Sequence, residues 1–226
     1  MFSVREGQSN NYLRDDGGVL MERYENQNDI QRNFQTSVLE HALNSISFRC
    51  EEQDNHPEQV ESYSIAIGKA MNMSYKDLKN LAKAAKLHDL GKTFIDQGIL
   101  NKPGKLTVAE MEAIKKHPEI GYRLLITDIR YKKLAKCVRH HHERWDGLGY
   151  PGGLMGGETP LFSRIIAVAD AYDAMTTNRV YQKTKSQKEA VQEIIENSGT
   201  QFDPTIVEVF VGKVLLSART SYTNKK

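Results

Sequence analysis

The chain has few cysteines, no long apolar run and almost no excess of charge of either sign. Its two cysteines, Cys50 and Cys137, form no CxxC motif and no disulfide framework, which is typical of proteins in a reducing compartment. The N-terminal stretch MFSVREGQSN has no apolar segment of a secretory signal. No apolar run reaches the roughly 18–20 residues that cross a bilayer. These absences predict a cytoplasmic protein without a membrane span.

The charge balance argues against duplex nucleic acid as the main partner. The chain has 31 Lys and Arg residues against 29 Asp and Glu residues, a formal net charge of +2. Proteins that bind duplexes carry a marked basic excess, because they neutralise many phosphates. A local cationic site for a small phosphate ligand is still compatible with this balance.

A strand pattern and internal repeats are also lacking, and nearly every periodic segment is typical of a helix. Helical periodicity is found in Asp29–Cys50, behind Pro57, from Ser74 towards His88, behind Pro118, over 128–142 and from Pro160 to Met175. Capping boxes at Thr107–Glu110 and Ser186–Glu189, and a cap at Asp203 before Pro204, predict three further helix starts. We therefore predict an all-α fold.

Two glycine features divide this pattern. Gly91 is expected to end the helix that leads to His88, and the glycine-rich stretch Asp146–Pro160 is expected to be a loop. We predict a flexible segment over residues 1–28, an N-terminal helix over 29–50, a catalytic domain over 51–217 and a polar tail over 218–226. The 29–50 helix belongs to the domain's own bundle or pairs with a second copy of the chain.

Histidines and carboxylates occur in short groups along the chain. His88 and Asp89 are adjacent, His117 stands alone, three histidines occupy 140–142, and Asp170 lies in the apolar segment IIAVADAYDAM. Each group alone has an ordinary explanation, such as a hydrogen-bonded core carboxylate or a solvated helix end. Together they indicate metal chemistry, because imidazole and carboxylate ligands without thiolate favour Fe, Mn, Co, Ni or Zn. Two such ions can share a hydroxide that attacks phosphorus.

Four longer runs resemble the HD-GYP family of the HD phosphohydrolase superfamily. They are AAKLHDLGKTFI (84–95), ILNKPGKLTVAEMEAIKKHPEIG (99–121), HHERWDGLGYPGGLMGGETPLFSRIIAVADAYDAMTTNRVY (141–181) and GTQFDPTIVEVF (199–210). The block HHExxDGxGYP followed by VADxxDAMTxxR is far more specific than an HD pair. The resemblance implies an HD-domain helical bundle with a glycine-rich GYP loop.

The resemblance also implies a site with two or three divalent metal ions, most often Fe or Mn, in which Asp89 bridges two of them. The implied ligands are His56, His88, Asp89, His117, His141, His142 and Asp170, with Glu52 as the ligand of a third ion. Glu52 has a second interpretation as a solvated helix carboxylate. The run of three histidines leaves the register open, and the distance to Asp146-Gly147 selects His141 and His142.

Further positions correspond to residues that meet the substrate in the family. Lys92 is implied as the catalytic cation near the scissile phosphate, and Asp89 as the catalytic carboxylate between the metals. Tyr150 and Arg179 match positions that contact the dinucleotide. Many members read R-P-Y-R after the last Asp helix, whereas this chain reads Arg179-Val-Tyr-Gln-Lys183, so the second cation moves to Lys183 or is lost.

The function implied by the resemblance is hydrolysis of cyclic di-GMP to linear pGpG, and with a second cleavage to GMP. Two alternatives stay open: a different cyclic dinucleotide or nucleotide, such as 3′,3′-cGAMP, and a module that senses cyclic di-GMP without turnover. The implied partners are the cyclic dinucleotide, a second copy of the chain through the N-terminal helix, and a GGDEF-type or regulatory protein.

Overall fold

The computed structural model describes residues 36–45, 55–177 and 184–215, and within these ranges the regular secondary structure is helical. The helices are α1 (36–45), α2 (His56–Ala70), α3 (Tyr75–Leu87), α4 (Gln97–Leu100), α5 (Val108–Ile114), α6 (His117–Leu125), α7 (Lys132–Arg139), α8 (Leu161–Thr176), α9 (Gln187–Glu196) and α10 (Pro204–Val209). Short 3-10 helices cover Leu90–Phe94 and Gly156–Glu158, and a π-helical turn over Phe210–Leu215 follows α10. The prediction of an all-α fold is confirmed.

Most helices begin where the sequence signals predict. The Ser74 side chain accepts a hydrogen bond from the Asp77 N–H at the start of α3. Both predicted capping boxes form, at the starts of α5 and α9, and Asp203 caps α10. The expected helix over 128–142 is shorter than predicted, since only Lys132–Arg139 is α-helical. The one-turn helix α4 carries too few apolar residues to show a period, and it was not predicted.

The larger hydrophobic core lies between α2, α3 and α8, and α9, α10 and the π-helical turn close it. Its fully buried side chains include Val60, Ile67, Leu81, Ile165, Ile166, Tyr172, Ile194, Ile206 and Phe210. Tyr63, Tyr172 and Phe210 meet edge to face with ring centroids 5.1–6.0 Å apart, an arrangement that suits the charge distribution of aromatic rings. No helix within the described ranges is long and apolar enough to cross a membrane.

A second core holds α1 against the bundle. Leu39 and Ala42 of α1 are buried with Leu90 and with residues of α3, α6 and α7: Leu87, Leu125, Ala135 and Val138. Residues 36–45, the middle of the predicted N-terminal helix, therefore pack on their own chain, and the buried Leu39 and Ala42 are not available to a second copy. The rest of the predicted 29–50 helix lies outside the described residues.

Gly91 lies inside the 3-10 helix Leu90–Phe94, so the expectation that it ends the preceding helix is wrong. That helix ends at Leu87. A Cβ atom at Gly91 would lie 2.0 Å from the His117 carbonyl oxygen and 2.8 Å from the Gly121 nitrogen. Glycine is needed because the 3-10 helix touches the backbone of α6. This close approach brings Asp89 next to His117.

The substitution Gly91→Ala is expected to force the 3-10 helix away from α6. The added methyl group has no room against backbone atoms, so the free energy of unfolding should fall by about 1–3 kcal/mol. Chemical denaturation measures this change. Gly157→Ala is the matched control, because a Cβ atom there meets nothing within 4 Å. Equal stability of the two variants would contradict the contact.

Candidate metal centre

The candidate site is formed mainly by side chains at helix ends. His56 and His117 are the first residues of α2 and α6. His88 is the C-cap of α3, with Asp89 next to it, and His141 and His142 follow the end of α7. Asp170 comes from within α8. The packing of α2, α3, α6, α7 and α8 brings all these side chains to one place.

Three histidines are oriented by the same local contact. The Nδ1 atoms of His88, His117 and His141 donate to the carbonyl oxygens of Ala85, Ile114 and Val138, at 2.6, 2.8 and 2.6 Å. These carbonyls lie in the last turns of α3, α5 and α7, where a helix leaves oxygens without an intrahelical partner. Because a carbonyl can only accept, the proton sits on Nδ1, and each Nε2 presents its lone pair to the site.

His56 is oriented by a carboxylate and not by a backbone carbonyl. His56 Nδ1 lies 2.6 Å from Asp173 Oδ2, and the Thr177 hydroxyl donates to the other Asp173 oxygen over 2.9 Å. Asp173 stands one turn after Asp170 on α8, so both carboxylates reach the same side of the helix. His56 Nε2 consequently faces Asp170 Oδ1, at 3.3 Å.

The ligand atoms form two groups, each with its members within 4.8 Å of one another: His56, His88 and Asp170 in the first, and Asp89, His117, His141 and His142 in the second. Asp89 faces both. Its Oδ1 lies 3.2 Å from His117 Nε2 and 3.9 Å from His141 Nε2. Its Oδ2 lies 3.4 Å from His88 Nε2 and 3.8 Å from His56 Nε2. One carboxylate thus connects the two groups.

Two buried atoms of this cluster fit a cation better than any protein partner. His88 Nε2 and Asp89 Oδ1 are buried without a hydrogen-bond partner within the described part of the chain. Asp89 Oδ1 is close to His117 Nε2, but that nitrogen has no proton to donate once Nδ1 carries it. Lone pairs left without donors are costly in a protein interior and are what a divalent ion requires. The residues present therefore fit a pair of metal ions.

The protonation states also suit metal binding. Burial lowers the pKa of His142 to about 4 and, with neighbouring histidines, holds the pKa of His141 well below its usual value. Burial alone would raise the pKa values of Asp89 and Asp170. Lys92, with His88 and His117, holds the pKa of Asp89 well below its usual range, and His56 and His88 hold the pKa of Asp170 below its usual range. Neutral imidazoles and ionised carboxylates are the forms that coordinate metals.

His56 differs from the other histidines. Burial would lower its pKa, but hydrogen bonds to Asp170 and Asp173, with the charge of Asp89, raise it to about 9. The carboxylates around His56 thus favour a positive charge at this position. In the absence of metal a proton supplies that charge, and metal binding would displace it.

Other predicted residues lie around the two groups. Lys92 Nζ is 2.6 Å from Asp89 Oδ2, with 30% of its side chain exposed. The Tyr150 ring stacks on His142, with centroids 4.9 Å apart and planes at 28°. His140 is in neither group, because its Nδ1 faces Glu143 at 3.1 Å. Glu52, Arg179 and Lys183 lie outside the described residues.

Two residues of the site were not predicted from the sequence. Asp173 orients His56, and its three-residue spacing from Asp170 inside an apolar helix is a signal that could have identified it. Glu143 is buried beside His142 and accepts hydrogen bonds from the glycine-rich loop. Its sequence neighbours suggested only the end of a histidine run, so its partners became visible only in the fold.

Several curated proteins are similar in sequence. A cyclic di-GMP phosphodiesterase of Thermotoga maritima is 42% identical over 181 residues, covering 79% of this chain and 49% of that protein. A 3′3′-cGAMP-specific phosphodiesterase of Vibrio cholerae is 33% identical over 170 residues, covering 74% of this chain and 33% of that protein. The chain thus spans at most about half the length of these two relatives.

Solved structures share the fold. A cyclic GMP-AMP-specific phosphodiesterase of V. cholerae matches with a TM-score of 0.56 at 22% identity, over 76% of this chain and 46% of that one. An HDG"Y"P protein of Bdellovibrio bacteriovorus matches with a TM-score of 0.57 at 20% identity, over 69% and 50% of the two chains.

The family of the chain is identified by one match to a known domain that covers most of the chain. Residues 38–206, most of the chain, match the HD domain, and this range contains both ligand groups. The HD-GYP motifs of the sequence and the HD-GYP fold agree with that match. The chain therefore belongs to the HD domain family, and its motifs resemble those of the HD-GYP group.

Proposed function

We propose that the chain is a metal-dependent phosphodiesterase of a cyclic dinucleotide, with cyclic di-GMP as the first substrate to test. The observation that carries this proposal is the pair of ligand groups joined by the Asp89 carboxylate. A site for two adjacent ions suits phosphoryl chemistry, in which an attacking and a leaving oxygen must both be stabilised. The names of the relatives from T. maritima and V. cholerae support the substrate class.

Two divalent ions are the proposed cofactors. The resemblance favours Fe or Mn, and Zn, Ni or Co are other candidates. His56, His88 and Asp170 would hold one ion, His117, His141 and His142 the other, and Asp89 would bridge them. When bound, such ions lower the pKa of water and neutralise charge on phosphoryl oxygens. A third ion would need Glu52.

The chain's own residues act on the phosphate and on its surroundings. The Lys92 ammonium lies beside Asp89, so it can stabilise negative charge that develops on a phosphoryl oxygen. Hydrolysis adds water across a P–O bond, giving a phosphomonoester and a ribose hydroxyl that takes up the proton. Tyr150, next to His142, and Arg179 and Lys183 are proposed to bind the dinucleotide, the arginine through bidentate bonds to phosphate.

A second candidate substrate is 3′,3′-cGAMP. Two relatives of V. cholerae are named as specific for it, at 33% and 38% identity, so the family's sequence similarity extends across both messengers. The metal site acts on the phosphodiester and does not read the base. A sensing module without turnover is the third alternative, and the complete set of ligand types in the two groups argues against it.

The predicted location and protein partners are also part of the proposal. The two cysteines without a paired motif support a cytoplasmic protein. The GGDEF-type or regulatory partner follows from the resemblance alone. A homodimer through the N-terminal helix would have to use faces other than Leu39 and Ala42, because both are buried in the chain's own core.

The direct experiment is turnover of cyclic di-GMP by protein loaded anaerobically with Fe(II) or Mn(II), with products separated by chromatography. We expect linear dinucleotide or GMP with metal, none after chelation, and none from Asp89→Ala, which loses the carboxylate shared by the two groups. Parallel assays with 3′,3′-cGAMP compare kcat/KM for the two messengers. Binding of cyclic di-GMP without product under every metal would point to the sensing module.

Lys92→Ala is expected to lower kcat by about 10²–10³-fold, the usual cost of removing one group that stabilises transition-state charge. Metal content should stay at the wild-type level, because an ammonium is not a ligand. Steady-state kinetics and elemental analysis of the same preparation measure both quantities. The exposed Lys105→Ala serves as the control. A parallel loss of metal would refute the role assigned to Lys92.

Asp173→Asn is expected to weaken metal binding at the first group. The amide can turn its NH2 towards His56 Nδ1, and an imidazole that accepts there presents a protonated Nε2 to the site. Loss of such a supporting residue typically reduces metal affinity by about 10–100-fold. Mn(II) titration should show one weakened ion and one unchanged ion. Equal weakening of both ions would contradict the assignment of Asp173 to the group of His56.

A further inference from the structure

Glu143 is a buried carboxylate that belongs to neither ligand group. The residue is 5% exposed, and its side chain is fully shielded from solvent. Its Oε1 accepts from the Gly152 N–H at 2.6 Å and lies 3.1 Å from His140 Nδ1, while Oε2 accepts from the Leu154 N–H at 3.2 Å. Three donors satisfy a charge that would otherwise be expensive to bury.

Residues 151–154, the part of the loop that Glu143 holds, have few other restraints, although the rest of the loop makes several backbone hydrogen bonds. Leu148 and Met155, two of its apolar side chains, are 80% and 59% exposed. Pro151, Gly152 and Gly153 are exposed as well. Little apolar burial is available to order this segment, and glycine increases the entropy lost on ordering it. Hydrogen bonds to a fixed acceptor are therefore the main restraint on residues 151–154.

The same loop carries the ring that covers a proposed metal ligand. The Tyr150 N–H donates to the His142 carbonyl over 3.2 Å, and the two rings are stacked. A Cβ atom at Gly149 would lie 2.4 Å from the Arg144 nitrogen, so the turn rests directly on the backbone that follows His142. The loop and the His142–Arg144 backbone thus form one packed unit.

We propose that Glu143 is a positioning residue for the metal centre. Its carboxylate holds residues 151–154 against the end of α7, so that the Tyr150 ring stays on His142 and keeps that imidazole in the second ligand group. Glu143 does not itself reach a ligand atom. The inference rests on the proposed function, because it takes His142 as a metal ligand.

The substitution Glu143→Gln tests this role with little change in volume. An amide NH2 cannot accept a hydrogen bond, so three donors would compete for one remaining oxygen. We expect the dissociation constant for Mn(II), measured by calorimetric titration without substrate, to rise about tenfold. Glu158→Gln is the matched control, because Glu158 accepts a backbone N–H in the same loop, from Met155 at 2.9 Å, but contacts no histidine.

A double-substitution cycle distinguishes positioning from general loosening of the fold. Tyr150→Leu removes the ring from His142 and should weaken Mn(II) binding to a similar degree. If Glu143 acts through Tyr150, the double variant should bind Mn(II) no more weakly than Glu143→Gln alone, because the second change removes nothing further. Effects of the two substitutions that multiply, or wild-type affinity in Glu143→Gln, would overturn the proposal.

Amide hydrogen exchange of the wild-type protein tests the contact between Glu143 and residues 151–154 without metal. Gly152, which is exposed, and Leu154, which is half-buried, should both exchange well below free-chain rates, and Glu143→Gln should accelerate both. Free-chain exchange rates at these amides in the wild-type protein would refute the hold of Glu143 on residues 151–154, whatever the Mn(II) titrations show. Slow exchange in a protein that binds no Mn(II) would confirm that Glu143 holds residues 151–154. The same result would refute the metal centre, and with it the positioning role assigned to Glu143.

Discussion

The candidate site depends on the Asp89 carboxylate, because it joins the two groups of candidate metal ligands. Its two carboxylate oxygens face different groups of histidines, and Lys92 lies against one of them. Lys92 stabilises the charge at Oδ2, whereas the buried Oδ1 has no donor within the described residues and would gain its partner from a metal ion. Because Gly91 lets the 3-10 helix touch α6, the carboxylate reaches His117 as well as His88. The site therefore depends on a backbone contact between His117 and Gly91, two residues after Asp89.

The histidines show how an ordinary feature of helices can organise a metal centre. The last carbonyl oxygens of a helix have no i+4 N–H partner, and here three oxygens in last turns each accept from the Nδ1–H of a histidine three residues later. This hydrogen bond orients each imidazole, so that the lone pair of its Nε2 atom points towards the site. Helix packing then has only to bring the ends together.

A layer of carboxylates behind the ligands completes this arrangement. Asp173 holds His56 from within α8, and Glu143 holds the loop that carries Tyr150 beside His142. Both side chains are nearly inaccessible to solvent, and each has a hydrogen-bond partner at both of its oxygens. Groups of this kind set the orientation of ligands and hence their affinity for metal. The loop and the helix α8 thus act on the same centre from different sides.

Local patterns in the sequence determined the helices and the capping boxes, since these depend on neighbours within one or two turns. The resemblance to the HD-GYP motifs implied the residues that meet at the site. The role of Gly91 was predicted wrongly, because its neighbour on α6 is distant in the sequence. The division of the ligands into two groups, and the contacts of Asp173 and Glu143, were likewise not visible in the sequence. Only the tertiary structure decided them, because each depends on distances between atoms of helices that packing alone brings together.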